Sequence, residues 1–337
     1  MFAKMKNKLI GVDIGGTNIK IGILTKDGKI IHKTSIPTYS IVGDAYIRTL
    51  HPPEKPQDIV KRLCDAVKNL CYKNKIKLSK IVKIGVGCPG PLNSEKGIIY
   101  NTPNLFGWEN FPLKKCIERH LKVPTVVNND ANSATYGEYW LGAGKGYSTV
   151  VCFTLGTGIG GGIILNGKLF KGIDDSAGHF GHTTIVPDGP KCGCGNTGCL
   201  EALASAPNMV KRAISKIKNG TRTKLTTLAK GNLKTITAKM IYIAATQGDK
   251  FAKEVLAETG RYLGIAVANV LNVLNPEIVI FSGGMIEAGD LLFKHIRKEA
   301  MKRALPQPAK RVKIVPAKLG NNAGIIGAAG LALSAKD

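Results

Sequence analysis

Apolar positions in the first forty residues come in short runs separated by turn residues. Leu9-Ile10-Gly11-Val12-Asp13 reads as a buried strand, Ile14-Gly15-Gly16-Thr17-Asn18 as a glycine turn, and Ile19 to Leu24 as a second strand. Lys26-Asp27-Gly28 then turns the chain into a third strand, Lys29 to Ile36, so the opening is a β-meander. After a proline-rich stretch (Pro52, Pro53, Pro56) the period changes. From Gln57 to Lys73, the residues Val60, Leu63, Cys64, Val67, Leu70 and Cys71 share one helical face. Strand Ile81 to Gly87 leads into Cys88-Pro89-Gly90-Pro91 and a loop rich in Asn and Pro, followed by strand Thr125 to Asn128 and a helix from Ala131 to Leu141.

A second series then begins. Thr149 to Leu155 reads as a strand, Gly156-Thr157-Gly158-Ile159-Gly160 as a turn, and Gly161 to Leu165 as a returning strand closed by an Asn166-Gly167 hairpin. Val12-Asp13-Ile14-Gly15-Gly16-Thr17 lies naturally beside Phe153-Thr154-Leu155-Gly156-Thr157-Gly158, each an apolar strand running into a glycine-threonine turn. Internal duplication is the economical explanation. Further on, a long helix from Phe251 is stopped at Asn275-Pro276, strand Glu277 to Phe281 runs into Ser282-Gly283-Gly284, and strand Val312 to Ala317 precedes a last helix, Asn322 to Ser334. The pattern predicts an α/β protein of two lobes, a smaller one of residues 1–125 plus 320–337 and a larger one of residues 126–319.

Composition adds limits. No run approaches the ~20 apolar residues of a membrane helix, and the basic start Met1 to Lys8 meets only a short apolar run before Asp13. The expectation is a soluble cytoplasmic chain. The 40 glycines cluster in tight motifs, which brings backbone close to something. The formal charge of +25, from 48 Lys and Arg against 23 Asp and Glu, would draw any polyanion. The lysines are scattered, however, with no Arg-rich arm and no aromatic-basic interleaving, so a solvated basic surface is favoured over a nucleic-acid partner.

The glycine turns carry the first chemical signal. A glycine turn between strands presents backbone N–H groups to an anion, and threonine adds a hydroxyl. Two such turns at equivalent places of a duplicated fold point to phosphates clamped between lobes, with Asp13 placed for a magnesium ion through water. Asp130, in Asn128-Asn129-Asp130-Ala131-Asn132, falls where a strand ends and a helix begins. It reads equally as a helix N-cap or as a general base accepting the proton of a hydroxyl that attacks phosphorus. The most specific pattern is His182 with Cys192, Cys194 and Cys199, a donor set that can close a tetrahedral Zn²⁺ site; this is favoured over a disulfide, given a cytoplasmic chain, and over free core thiols, given so glycine-rich a loop. With all four positions filled by protein, such an ion is structural. The other five cysteines sit in apolar elements or beside proline and read as core.

Together these motifs resemble, nearly end to end, the ROK family of repressors, uncharacterised reading frames and sugar kinases, within the actin-like ATPase superfamily. Asp13 to Thr17, with Asn18 following, resembles its first phosphate loop, Leu155 to Gly162 its second, and Ser282-Gly283-Gly284 its adenosine-contacting turn. Pro103 to Trp108 resembles its sugar-contacting loop, Asn129 to Asn132 its catalytic segment, and Cys192 to Glu201 its zinc signature. The resemblance implies a ribonuclease H-like duplicated fold with zinc in the second lobe. It also implies ATP-dependent phosphorylation of a hexose, glucose first, with Asp130 as base. Gly90, Asn104, Asn129 and Glu201 would contact sugar hydroxyls, and His182 would give one ring nitrogen to zinc and the other to the sugar.

One departure is His179, where many sugar kinases of the family carry Glu; an imidazole offers one acceptor nitrogen in place of a charged carboxylate. N-acetylglucosamine or N-acetylmannosamine is the nearest alternative acceptor, and a sugar sensor the nearest non-enzyme. Regulators of the family carry a helix-turn-helix domain ahead of the first phosphate strand, for which the roughly eight residues before Leu9 leave no room. A DNA-reading zinc finger is disfavoured too, since Leu200 to Ala206 holds Glu201 and no basic residue. The resemblance further implies a homo-oligomer, usually a dimer.

Overall fold

The structure is a computed structural model that describes residues 7–38, 54–102, 105 and 107–335. The chain divides into two compact units. The first comprises Met1–Gly146, Leu169–Ala177 and Lys318–Asp337, the second Tyr147–Lys168 and Gly178–Ala317.

The first unit is built on strands β1 (Lys8–Ile14), β2 (Asn18–Thr25), β3 (Ile30–Pro37) and β4 (Ile81–Cys88), a small ribbon of β5 (Leu92–Asn93) and β6 (Ile98–Ile99), and β7 (Thr125–Asn129). The main sheet runs β3-β2-β1-β4-β7. The meander β1-β2-β3 is antiparallel, while β4 joins β1, and β7 joins β4, in parallel. This pairing explains why the unit extends to Gly146 and not to the expected boundary at residue 125. Thr125–Asn129 hydrogen-bonds to β4, so it and the helix that follows belong to this sheet.

Helices α1 (Pro56–Lys73) and α2 (Leu113–Leu121) cover one face, packing Val60, Leu63, Val67 and Ile117 on Ile10, Val12 and Val86. On α1 the buried residues are those of the predicted stripe, with Pro56 as the first helical residue. Leu9 and Leu24 point to the other face, where the last helix, Ala323–Ser334, lies alongside α3 (Asp130–Leu141). The last helix is apolar all round because it is buried all round. It approaches its neighbours backbone to backbone: a Cβ on Gly85 would stand 1.8 Å from the Ala328 carbonyl oxygen, and one on Gly327 would stand 1.6 Å from that of Ser133. Glu138 of α3 is fully buried and accepts the N–H groups of Ala143, Lys318 and Leu319 at 2.9, 3.0 and 2.8 Å, tying the end of α3 to the chain entering the last helix.

The second unit repeats the plan. Its strands β8 (Val150–Leu155), β9 (Ile159–Leu165), β10 (Lys168–Phe170), β11 (Ile278–Ser282) and β12 (Lys313–Pro316) run β10-β9-β8-β11-β12. That is the connectivity of the first sheet, with an antiparallel β8-β9 pair and parallel β8-β11 and β11-β12 pairs. Helices α4 (Ala206–Lys218), α5 (Ala238–Thr246), α6 (Lys250–Leu274) and α7 (Asp290–Arg303) pack on it. Phe153 anchors this core, stacked 4.7 Å from Phe180 and 5.1 Å from Phe281. Asn275 ends α6 in the left-handed conformation, as Asn275-Pro276 leads one to expect. Among the described residues no helix is long and apolar enough to cross a membrane.

Candidate active site

Strand register gathers the candidate residues of the first unit at one end of its sheet. Asp13 of β1 is paired with Gly87 of β4, and Cys88 with Asn129 of β7. The Asp13 carboxylate is 3.4 Å from the Lys20 ammonium on β2, and its other flank meets the Cα of Gly324 so closely that a Cβ there would fall 2.7 Å from it. Beyond Asp13 the first turn is closed by the Gly15 N–H donating to the Asn18 carbonyl at 3.0 Å; Thr17 and Asn18 are exposed.

The two readings of Asp130 separate in the structure. The cap of α3 is Asn129, whose Oδ1 accepts the N–H groups of Ala131 and Asn132 at 2.9 and 3.2 Å, while Asp130 is already the first helical residue. Capping is therefore done by the neighbour. Asp130 keeps a half-buried carboxyl that takes the Ala131 N–H at 2.8 Å. Burial first, and the nearby Asp13 charge second, raise its pKa from 3.8 to about 6. Asp13 is also raised by burial, against the pull of Lys20, and the Cys88 thiol is pushed up by burial and by both carboxylates. Asn129 turns its amide nitrogen toward the Gly90 carbonyl at 3.4 Å. Gly90 itself has φ +92°, with no space for a Cβ beside Asn101. Asn104 lies outside the described residues.

In the second unit Leu155 pairs directly with Ile159, so this turn is one residue shorter than the first, where the flanking pair is Ile14 and Ile19. Gly156, Thr157 and Gly158 form it, with the Gly156 N–H donating to the Gly158 carbonyl at 3.0 Å. Glu201, on the short helix Leu200–Ala204, accepts the Ile159 N–H at 2.8 Å; a Cβ on Gly158 would fall 2.5 Å from the same carboxylate oxygen. At the same end of the sheet β11 runs through Ser282 into Gly283, at φ +93°, and Gly284.

His182, Cys192, Cys194 and Cys199 converge, their donor atoms all within 4.8 Å of one another. The Cys194 and Cys199 sulfurs are 3.7 Å apart, and Cys192 Sγ is 3.7 Å from His182 Nδ1. A disulfide is absent at that spacing, and none of the eight cysteines is in one. Thiolates on a tetrahedral zinc at ~2.3 Å would stand about 3.8 Å apart, and sulfur and imidazole nitrogen about 3.6 Å apart, so donor set and spacing both fit a four-coordinate ion. Cys192 Sγ also lies 4.0 Å from Glu201 Oε1. The exposed His179 ring is centred 6.2 Å from that of His182.

The structure adds residues that the sequence pattern passes over. Beside Thr157 a groove of about 480 Å³ is lined by Pro207, Val210 and Ile214 of α4 and by Ile236. The signal for that wall was present: proline in the first turn of α4, then apolar residues at helical spacing. Thr38, after β3, donates to the first glycine turn, a contact made only by folding.

The profile of the ROK family matches residues 9–335. The chain belongs to the ROK family. A glucokinase from Halalkalibacterium halodurans is 41% identical over 320 residues, covering 94% of this chain and 92% of the relative. A crystal structure of a ROK family glucokinase from Streptomyces griseus, in complex with glucose and AMPPNP, superposes with a TM-score of 0.81 at 34% identity, covering 97% of this chain and all of that one. A ROK family transcriptional regulator, a homologue of the E. coli MLC protein, superposes with a TM-score of 0.85 at 26% identity, but this chain covers 79% of it. Kinases and regulators thus share this ROK fold, and the site must carry the functional argument.

Proposed function

We propose that the protein is an ATP-dependent hexose kinase that transfers the γ-phosphoryl group to a sugar hydroxyl, with glucose as the acceptor. The observation that carries this reading is Asp130: a carboxyl at the end of a strand, relieved of capping by Asn129 and raised to about 6 by burial and by Asp13. A base with that pKa is ionised at neutral pH, yet holds a proton far better than an ordinary aspartate. It would take the hydroxyl proton as the sugar oxygen bonds to phosphorus and the bond to the β-phosphate oxygen breaks, leaving ADP. Glucose is favoured by the 41% identity to a glucokinase and the likeness to a glucokinase holding glucose and AMPPNP.

The first unit would supply Asp130, the turn at Gly15 with the amides of Gly16 and Asn18, and the Thr17 hydroxyl, with Asp13 facing a magnesium ion that neutralises phosphate charge. Gly90, Asn104 and Asn129 would lie on the sugar. The second unit would supply Gly156, Thr157 and Gly158 for phosphate, Gly283 and Gly284 for adenosine, and the apolar groove on α4 for the base. His182 turns Nδ1 to the cysteines, which leaves Nε2 to donate to a sugar hydroxyl beside Glu201 and His179. Zinc bound by His182, Cys192, Cys194 and Cys199 would order this segment. The enzyme would act in the cytoplasm, as a homodimer, with no nucleic-acid partner. His179 favours a second reading, an N-acetylhexosamine acceptor or a sugar sensor, because it removes a charged acceptor from the sugar contacts.

The test is ADP release from Mg-ATP with glucose, mannose, fructose, N-acetylglucosamine and N-acetylmannosamine, with Asp130→Asn alongside. Turnover on glucose, lost in Asp130→Asn while glucose binding persists, is expected. No turnover on any of these sugars by folded, metal-loaded protein would refute the kinase reading.

A further inference from the structure

Thr38 is fully buried just beyond β3, and both of its donors are used on one short segment. Its hydroxyl donates to the Gly15 carbonyl at 2.7 Å, and its backbone N–H donates to the Thr17 carbonyl at 2.8 Å. In a trans peptide the C=O and N–H point opposite ways. Drawing these two carbonyls toward Thr38 therefore points the amide edges of the Gly15–Gly16 and Thr17–Asn18 peptides away from it. Glycine at 15 and 16 makes the opposite orientation accessible, since no Cβ resists a peptide flip. A flipped turn would present a carbonyl oxygen, the negative end of the peptide dipole, to an arriving anion.

Thr38 is itself held. The guanidinium of Arg62, on α1, donates to the Pro37 carbonyl, to the Thr38 carbonyl at 3.3 Å and to the Glu54 carboxylate at 2.6 Å. The second turn has a counterpart on a different element: the Gly156 carbonyl accepts the Ala206 N–H at 3.1 Å. In both turns the carbonyl of the first glycine is thus tied back into its own unit.

We propose that Thr38, braced by Arg62, is a positioning residue for nucleotide binding: it locks the first glycine turn in the orientation that offers amides, and not oxygens, to a phosphate. The inference rests on the kinase reading above, and its test separates the two. Thr38→Val keeps the shape and the backbone bond but removes the hydroxyl donor; Thr38→Ser keeps the donor. Thr125→Val is the control, because it removes a hydroxyl that donates to the Val123 carbonyl at 3.1 Å from an equally buried site in the same unit.

Steady-state kinetics with Mg-ATP and glucose are run beside calorimetric binding of Mg-AMPPNP. Thr38→Val is expected to raise both the KM for ATP and the Kd for AMPPNP about five- to tenfold, with the glucose KM unchanged and Thr38→Ser within about twofold of wild type. A Thr38→Val protein whose nucleotide affinity matches that of Thr125→Val overturns the proposal. If wild type binds AMPPNP but phosphorylates no sugar, the kinase reading fails, and the binding order of the three variants still decides the role of Thr38. If wild type binds no nucleotide, both fall.

Discussion

Replacing Asp130 by asparagine should remove activity and, at alkaline pH, strengthen the fold. Moving a carboxyl from 3.8 in the unfolded chain to about 6 in the native one favours its protonated form in the native state. The stability this group contributes is therefore complete below pH 3.8 and is lost as pH rises through about 6. At pH 8 the ionised carboxylate costs about 3 kcal/mol relative to an unshifted one, since a tenfold change in proton affinity is about 1.4 kcal/mol. Solvent reaches part of this half-buried group, and asparagine gives up the charge-assisted bond from the Ala131 N–H, so a net gain of about 1–2 kcal/mol is expected for Asp130→Asn at pH 8. Near pH 4 the gain should vanish, because wild type is then protonated in the native state. Urea denaturation of both proteins at pH 8, 6 and 4.5 reads the sign directly, and turnover should fall about 10²–10⁴-fold in parallel. A variant less stable than wild type at pH 8, or offset by the same amount at every pH, would show that Asp130 is not held against its own charge. Asp130 would then lack the raised proton affinity that the kinase reading asks of its base.

Gly327→Ala should destabilise by about 3 kcal/mol in urea denaturation, because the new methyl meets the Ser133 carbonyl oxygen at 1.6 Å and neither helix backbone can yield, whereas Gly193→Ala, with nothing within 4 Å, should be silent. Cys199→Ser, or chelation of the wild type, should lower bound metal measured by elemental analysis. The KM values for glucose and for ATP should both rise, since the cluster adjoins His182 and Glu201, and Glu201 also holds the Ile159 N–H of the second glycine turn.

The strands and turns were legible because their signals are local: alternating or continuous apolar runs, glycine where backbone must reverse, asparagine before proline where α6 stops. The duplication was legible for the same reason, and the two sheets share one strand order. Contacts between residues distant in sequence were not legible. Nothing near residue 125 announces that Thr125–Asn129 pairs with β4, so the sequence pattern closes the first lobe too early. Helices α4, α5 and α7 are marked only weakly, by Pro207, Thr237 and the spacing of Leu292, Phe293 and Ile296, while the glycine motifs on either side give stronger punctuation. At Asp130 the sequence offered two roles for one residue, and only the hydrogen bonds of Asn129 show which residue caps the helix.

The duplicated units share a frame but not its chemistry, and the register shows where they part. Asp13 stands one residue before the last paired position of β1, and the matching position of β8 is Thr154. The carboxyl pair in which the Asp13 charge raises the proton affinity of Asp130 therefore belongs to one unit alone. In the other unit the corresponding turn is a residue shorter and is held from outside by a carboxylate, Glu201, which takes the Ile159 N–H with one oxygen and stands 4.0 Å from Cys192 Sγ with the other. Glu201 thus makes the cysteine-histidine cluster and the second turn one mechanical piece: whatever orders the cluster fixes the carboxylate, and the carboxylate fixes the amide of Ile159. A metal held by that cluster would act on the second turn through position, while the carboxyl raised toward neutral pH lies in the first unit.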